Sequence, residues 1–286
     1  MPFKLELGFV SGESELHLVE QICADAKVPA IAKISAFPGI PLTRDALAFD
    51  GELIVRIMDE DRDGSGPDKP MMPLKTAAAI SDMQRRFKIT LDSCKQAKNI
   101  RHIFIGNETD IGRYWGGKQE EFGPHFAKHV VQIVRDDGYI VGFDGPQANT
   151  ANWRPYMKGL RDARCIDANT WLSIHPYQQT AVMHLARLDG WINDRENRVW
   201  QFPTRRAETE CGLKLSGAIE FQVSEIKLLY DGLRTRAAHG IINLAMHYRI
   251  SENNAPESKP SPFKADKSKH PVWYDVMVEQ LRKCAA

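Results

Sequence analysis

The strongest constraint in this chain is a rhythm. Apolar runs of five to seven residues alternate with longer amphipathic stretches, and the alternation repeats eight times. The runs lie at residues 4–10 (KLELGFV), 28–34 (VPAIAKI), 53–58 (LIVRIM), 101–106 (RHIFIG), 139–143 (YIVGF), 170–174 (TWLSI), 205–209 (RRAET) and 241–246 (IINLAM). Helical patterns follow them at 15–26, 43–49, 74–97, 125–135, 153–163, 180–191, 218–239 and 271–283. A short apolar run suits a strand, and strands alternating with helices build βαβ units around a parallel sheet. Eight such units in 286 residues match a closed barrel, which typically needs about 250. The expected fold is therefore α/β, a (β/α)8 TIM barrel, with residues 1–286 forming a single domain. A doubly wound sheet would carry a glycine-rich phosphate turn after its first strand. Here that turn reads Ser11-Gly12-Glu13-Ser14, without GxGxxG. The stretch 251–269 lacks apolar periodicity and reads as the loop after the eighth strand.

Charge narrows the partners. Thirty-eight basic residues face 37 acidic ones, so no field favours nucleic acid or an anionic membrane. A neutral ligand fits that balance. No run of about 18 apolar residues occurs, and residues 1–15 lack the core of a signal peptide. The expectation is a protein that is cytoplasmic or released by a non-classical route. Cys23, Cys94, Cys165, Cys211 and Cys284 are odd in number and widely spread, which points to free thiols. No metal or other cofactor is expected. His125 and His129 have the i, i+4 spacing of zinc ligands but fall on an outer helix. Asp59, Asp61, Asp63 and Gly64 begin like a calcium loop, yet the twelfth position is Pro70, which excludes an EF-hand.

In such barrels the chemistry sits at the carboxyl ends of the strands. The residues just past each predicted strand are the ones to collect. The fourth strand offers Asn107, Glu108 and Asp110; the fifth, Asp144; the sixth, His175 and Tyr177. The seventh offers Glu208 and Glu210, and the eighth His247 and Tyr248. Trp115 and Trp153 either line the same mouth or pack in the outer ring. Aromatic faces stack on sugar rings, while carboxylates and amides bond hydroxyls. Two carboxylates across a gap can divide glycosidic cleavage between them. One protonates the leaving oxygen, and the other attacks the anomeric carbon.

These motifs resemble those of the clan A glycoside hydrolases. IFIGNETD (103–110) resembles the fourth-strand Asn-Glu motif of that superfamily, and TECG (209–212) its seventh-strand Thr-Glu-x-Gly. SIHPY (173–177) resembles a sixth-strand His-Pro-Tyr, as in xylosidase-like members, and FDGPQ (143–147) a fifth-strand Gly-Pro turn. The resemblance implies Glu108 as acid/base and Glu210 as nucleophile. It implies Asn107 on the sugar 2-hydroxyl and either Tyr177 or His175 orienting Glu210. It also implies retention of configuration and an oligosaccharide or polysaccharide substrate. The superfamily usually carries an arginine on its second strand, where this chain has Lys33; the nearest arginine is Arg56 on the third. Glu208 shares a strand face with Glu210 and competes for the nucleophile's role. Two further readings stand beside this one. One is a carbohydrate-binding barrel without catalysis. The other is a metal-dependent barrel hydrolase using His175, Asp144 and His247.

Overall fold

The computed structural model describes residues 4–58, 60–61, 69–70, 74–107, 118–147, 150–176, 178–194, 205–211, 213, 219–247, 267 and 271–286; for 60–61, 69–70, 147, 150–152 and 205–211 it describes the backbone alone. Eight parallel strands are β1 (Glu6–Val10), β2 (Ile31–Ala36), β3 (Glu52–Ile57), β4 (Ile100–Ile105), β5 (Ile140–Gln147), β6 (Trp171–His175), β7 (Arg205–Cys211) and β8 (Leu244–His247). Each pairs with the next, and β8 pairs with β1, so the sheet curls into a closed barrel. Each strand overlaps one of the runs read from the sequence. The α/β class and the parallel sheet are as expected.

Helices follow the strands in order. They are α1 (Leu16–Ala26), α2 (Arg44–Ala48), α3 (Ala77–Cys94), α4 (Gln119–Phe122), α5 (Lys128–Asp136), α6 (Thr150–Asp162), α7 (Ala181–Ile192), α8 (Ile219–Ala238) and α9 (Pro271–Ala285). A π-helical turn, Gly123–Ala127, joins α4 to α5. Thr43, Thr76 and Thr180 each accept a backbone N–H three residues on, at the starts of α2, α3 and α7. Such a cap stabilises a helix start by about 1 kcal/mol. A two-residue antiparallel ladder pairs Glu60–Asp61 with Lys69–Pro70 in the acidic loop after β3.

Alternation along the strands divides the core in two. Leu53, Val55 and Ile57 face outward and pack with the helices in one large cluster. Ile54, between them, faces inward with Val10, Phe104, Trp171, Leu244 and Met246. The inner cluster plugs the barrel, as layered side chains do in this architecture. The helices pack closely where glycines meet: a Cβ on Gly123 would lie 2.1 Å from the Gly159 carbonyl oxygen of α6. Cys23, Cys94, Cys165 and Cys284 are free and buried in the outer layer. Burial pushes the Cys23 thiol up to about 11 and those of Cys94 and Cys165 to about 12, so they are poor nucleophiles. Among the described residues no helix is long and apolar enough to cross a membrane.

Candidate active site

Above the apolar plug the inward-facing residues become polar. Lys33 and Ser35 come from β2, Arg56 from β3, Asn107 from just past β4, Asp144 from β5, and Ser173 and His175 from β6. All but Asn107 occupy alternate positions along their strands. Gly106 lets the chain turn out of β4: its φ is +83°, and a Cβ there would lie 2.8 Å from the Phe122 ring. That turn brings Asn107 over the barrel.

Asp144 is the centre of the cluster and is fully buried. Its Oδ2 lies 2.6 Å from Lys33 Nζ, also fully buried, and accepts from Arg56 Nη1 at 3.2 Å. Its Oδ1 accepts from Ser173 Oγ at 2.5 Å and lies 3.7 Å from His175 Nε2. Burial alone would raise the Asp144 carboxyl. The Lys33 charge, with His175 and Arg56, outweighs it and holds the group well below the usual carboxylate range. Arg56 also donates from Nη1 to Asn107 Oδ1 at 2.6 Å and from Nη2 and Nε to Ser35 Oγ at 2.7 and 3.2 Å. A guanidinium only donates, so it fixes which end of the Asn107 amide faces it.

Asn107, Asp144 and His175 are thus brought together. Asp144 and His175 are 0% exposed and lie beneath the mouth, where Asp144 is enclosed by its own partners. Asp144 is engaged by Lys33, Arg56 and Ser173 at this depth. Lys33 and Arg56 do belong to the cluster. Arg56 reaches back to Ser35 on β2, so the guanidinium stands beside the second strand although it is carried by the third. Ser35 and Ser173 complete the cluster and are not among the residues that the strand-end motifs indicate. Polar residues spaced two apart inside apolar strands were the available signal.

Two other expected residues lie elsewhere. Trp153 is buried in the outer layer, its ring 5.0 Å edge-on from Trp191 and 5.9 Å from Tyr156. It lies near the start of α6 and packs against β5 at Gly145, with no face open at the mouth. His247 alternates with inward-facing Met246 and so faces the helices. It lies against Phe9, and its Nδ1 is 2.5 Å from the Tyr230 hydroxyl of α8. The trio His175, Asp144 and His247 therefore does not converge, and the metal-dependent reading loses its ligand set. Glu108, Trp115 and Tyr177 lie outside the described residues, and of Glu210 only the backbone is described.

His247 has a measurable consequence. Burial lowers its pKa to about 4, below the value of about 6.5 expected in the unfolded chain. Between those values the unfolded chain binds a proton that the native one does not. Stability therefore falls as pH drops from about 6.5 to about 4, by about 3 kcal/mol from this group. Urea midpoints at several pH values will show that His247→Asn, which keeps an acceptor for Tyr230, loses this part of the pH dependence. An unchanged pH dependence in the variant would refute the assignment.

No protein-family model matches the sequence, and no curated protein matches it. Solved structures do share the fold. A family 26 β-mannanase from Bacteroides ovatus aligns with a TM-score of 0.63 at 12% identity, over 98% of this chain and 89% of that one. A family 53 glycoside hydrolase catalytic domain from Ignisphaera aggregans gives 0.60 at 10% identity, over 91% and 88%. A family 128 exo-beta-1,3-glucanase from Aureobasidium namibiae gives 0.57 at 12% identity, over 98% and 96%. The fold is thus that of known glycoside hydrolases, the group that the motifs resemble.

Proposed function

We propose that this chain is a retaining glycoside hydrolase, one (β/α)8 catalytic domain that cleaves an O-glycosidic bond of an oligosaccharide or polysaccharide. The reading is carried by the buried Arg56–Asn107 contact at the carboxyl end of β4. It anchors the residue immediately before Glu108 in a barrel of glycoside hydrolase fold. Glu108 protonates the glycosidic oxygen as that bond breaks. Glu210 attacks the anomeric carbon and forms a glycosyl ester. Its charge is then gone, so the Glu108 carboxylic acid, now a carboxylate, takes a proton from the incoming water. The water's oxygen displaces Glu210 and completes the second inversion.

The strand register supports Glu210 over Glu208. Ala207 pairs with Leu244 and Glu208 with Ala245, but Cys211 pairs with His247. Thr209 and Glu210 together therefore stand opposite the single residue Met246. Such a bulge changes the parity of a strand by one, a common device next to active sites. It gives the ladder position of Glu210 inner-face parity and leaves Glu208 with that of outward-facing Ala245.

The test is covalent labelling. A panel of 2-deoxy-2-fluoro glycosides with good leaving groups is incubated with the protein, and its peptides are sequenced by mass spectrometry. One member of the panel adds its glycosyl mass at Glu210. Labelling at Glu208 or elsewhere, or no labelling and no hydrolysis across the panel, overturns the reading.

A further inference from the structure

The cluster around Asp144 holds its hydrogen bonds in an unexpected order. A guanidinium normally bonds a carboxylate more tightly than a neutral amide. Here Arg56 Nη1 is 2.6 Å from the Asn107 amide oxygen and 3.2 Å from the Asp144 carboxylate. Lys33 supplies the reason. Its ammonium is 2.6 Å from the same carboxylate oxygen, and Ser173 takes the other oxygen at 2.5 Å. All three of these side chains are completely buried, so Coulomb attraction among them is weakly screened. The carboxylate is already satisfied, and Arg56 leans toward the amide.

We propose that Lys33 is a positioning residue: by holding Asp144 it leaves Arg56 to fix the Asn107 carboxamide beside Glu108. This rests on the reading of Glu108 and Asn107 given above. Lys33 acts through its ion pair with Asp144. Its effect passes through Asp144 and Arg56 to Asn107. Without its charge, Asp144 draws Arg56 onto the carboxylate and away from the amide, and Asn107 loses the donor that sets its orientation.

The arrangement makes an uncommon demand. In this role Lys33 is needed only while Asp144 is charged. Lys33→Met is expected to lower kcat/KM on the best aryl glycoside by about 10²-fold, mainly through kcat, as a small misplacement of a positioning group does. Adding Asp144→Asn removes the competing charge and brings kcat/KM back to within about 10-fold of wild type. Asn107→Ala combined with Lys33→Met loses no more than the worse single change, because both act on one group. The Asn107 side-chain NH2 resonances, read by NMR in the intact chain, shift in Lys33→Met and return in the double variant. This second readout needs no turnover. If the wild type cleaves no glycoside, the proposed function fails while the resonances still decide the role of Lys33.

Absence of rescue in the Lys33→Met/Asp144→Asn chain overturns the proposal. So does an Asn107 signal that ignores Lys33, or additive losses in the Asn107→Ala combination. Should Lys33→Met not fold, the neutral double variant carries the test. Activity near wild type supports the proposal, and a loss as large as that of Asn107→Ala overturns it.

Discussion

Replacing Glu210 by glutamine lowers kcat/KM on an aryl glycoside by on the order of 10⁴-fold or more, because the amide cannot form the glycosyl ester. Glu108→Gln behaves differently. It removes only the proton transfer, a step worth about 10²–10⁴-fold. Its cost in kcat/KM depends on the leaving group: it is small for an acidic phenol, which departs without a proton, and large for an alkyl aglycone. Neither change lowers stability appreciably. In the proposed mechanism each change removes one of a facing pair of carboxylates, and with it their mutual repulsion. Steady-state kinetics with a series of leaving groups, beside thermal melts, checks both. A Glu210→Gln chain within 10-fold of wild type, or a Glu108→Gln chain whose loss ignores the leaving group, refutes the roles given to these residues.

Asp144→Ala has the largest expected effect on folding. It leaves the Lys33 ammonium and the Arg56 guanidinium, 0% and 8% exposed, without the carboxylate they share. Breaking a buried pair in this way costs about 3–5 kcal/mol. For a chain of this size that lowers Tm by about 6–15 °C. Lys33→Met/Asp144→Asn removes both charges and recovers most of that loss, since a buried pair as a whole contributes little net stability. Denaturant melts of the wild type, the single variant and the double variant complete the comparison. A cost of Asp144→Ala under about 1 kcal/mol would show that the pair is screened by solvent. The Asp144 carboxyl is depressed in the native state, so its contribution is full at neutral pH. It is lost only as pH falls below the ordinary carboxylate range.

Much of this molecule is legible without coordinates. The strands and helices follow from local periodicity, since a half-buried strand alternates and an amphipathic helix repeats every 3.6 residues. β7 was readable only by its place in the rhythm, because RRAET is polar. β5 extends past the expected end at Phe143 through Gln147, because its pairing with β6 shifts between Asp144 and Gln147. Local sequence carries little trace of such a shift. Trp153 illustrates the same limit. An aromatic residue past a strand suits a ligand cleft or a helix seam equally, and the helix phase chose the seam.

From the sequence alone came the alternation of strands and helices, the absence of a charge bias, and the Asn-Glu and Thr-Glu motifs at strand ends. Each depends on neighbours within a few residues, where backbone geometry and side-chain spacing suffice. Tertiary structure alone decided that His247 turns outward to Tyr230, and that Lys33 and Arg56 converge on Asp144 from two other strands. Those outcomes depend on inter-strand register, and in a closed barrel each register is set by every other.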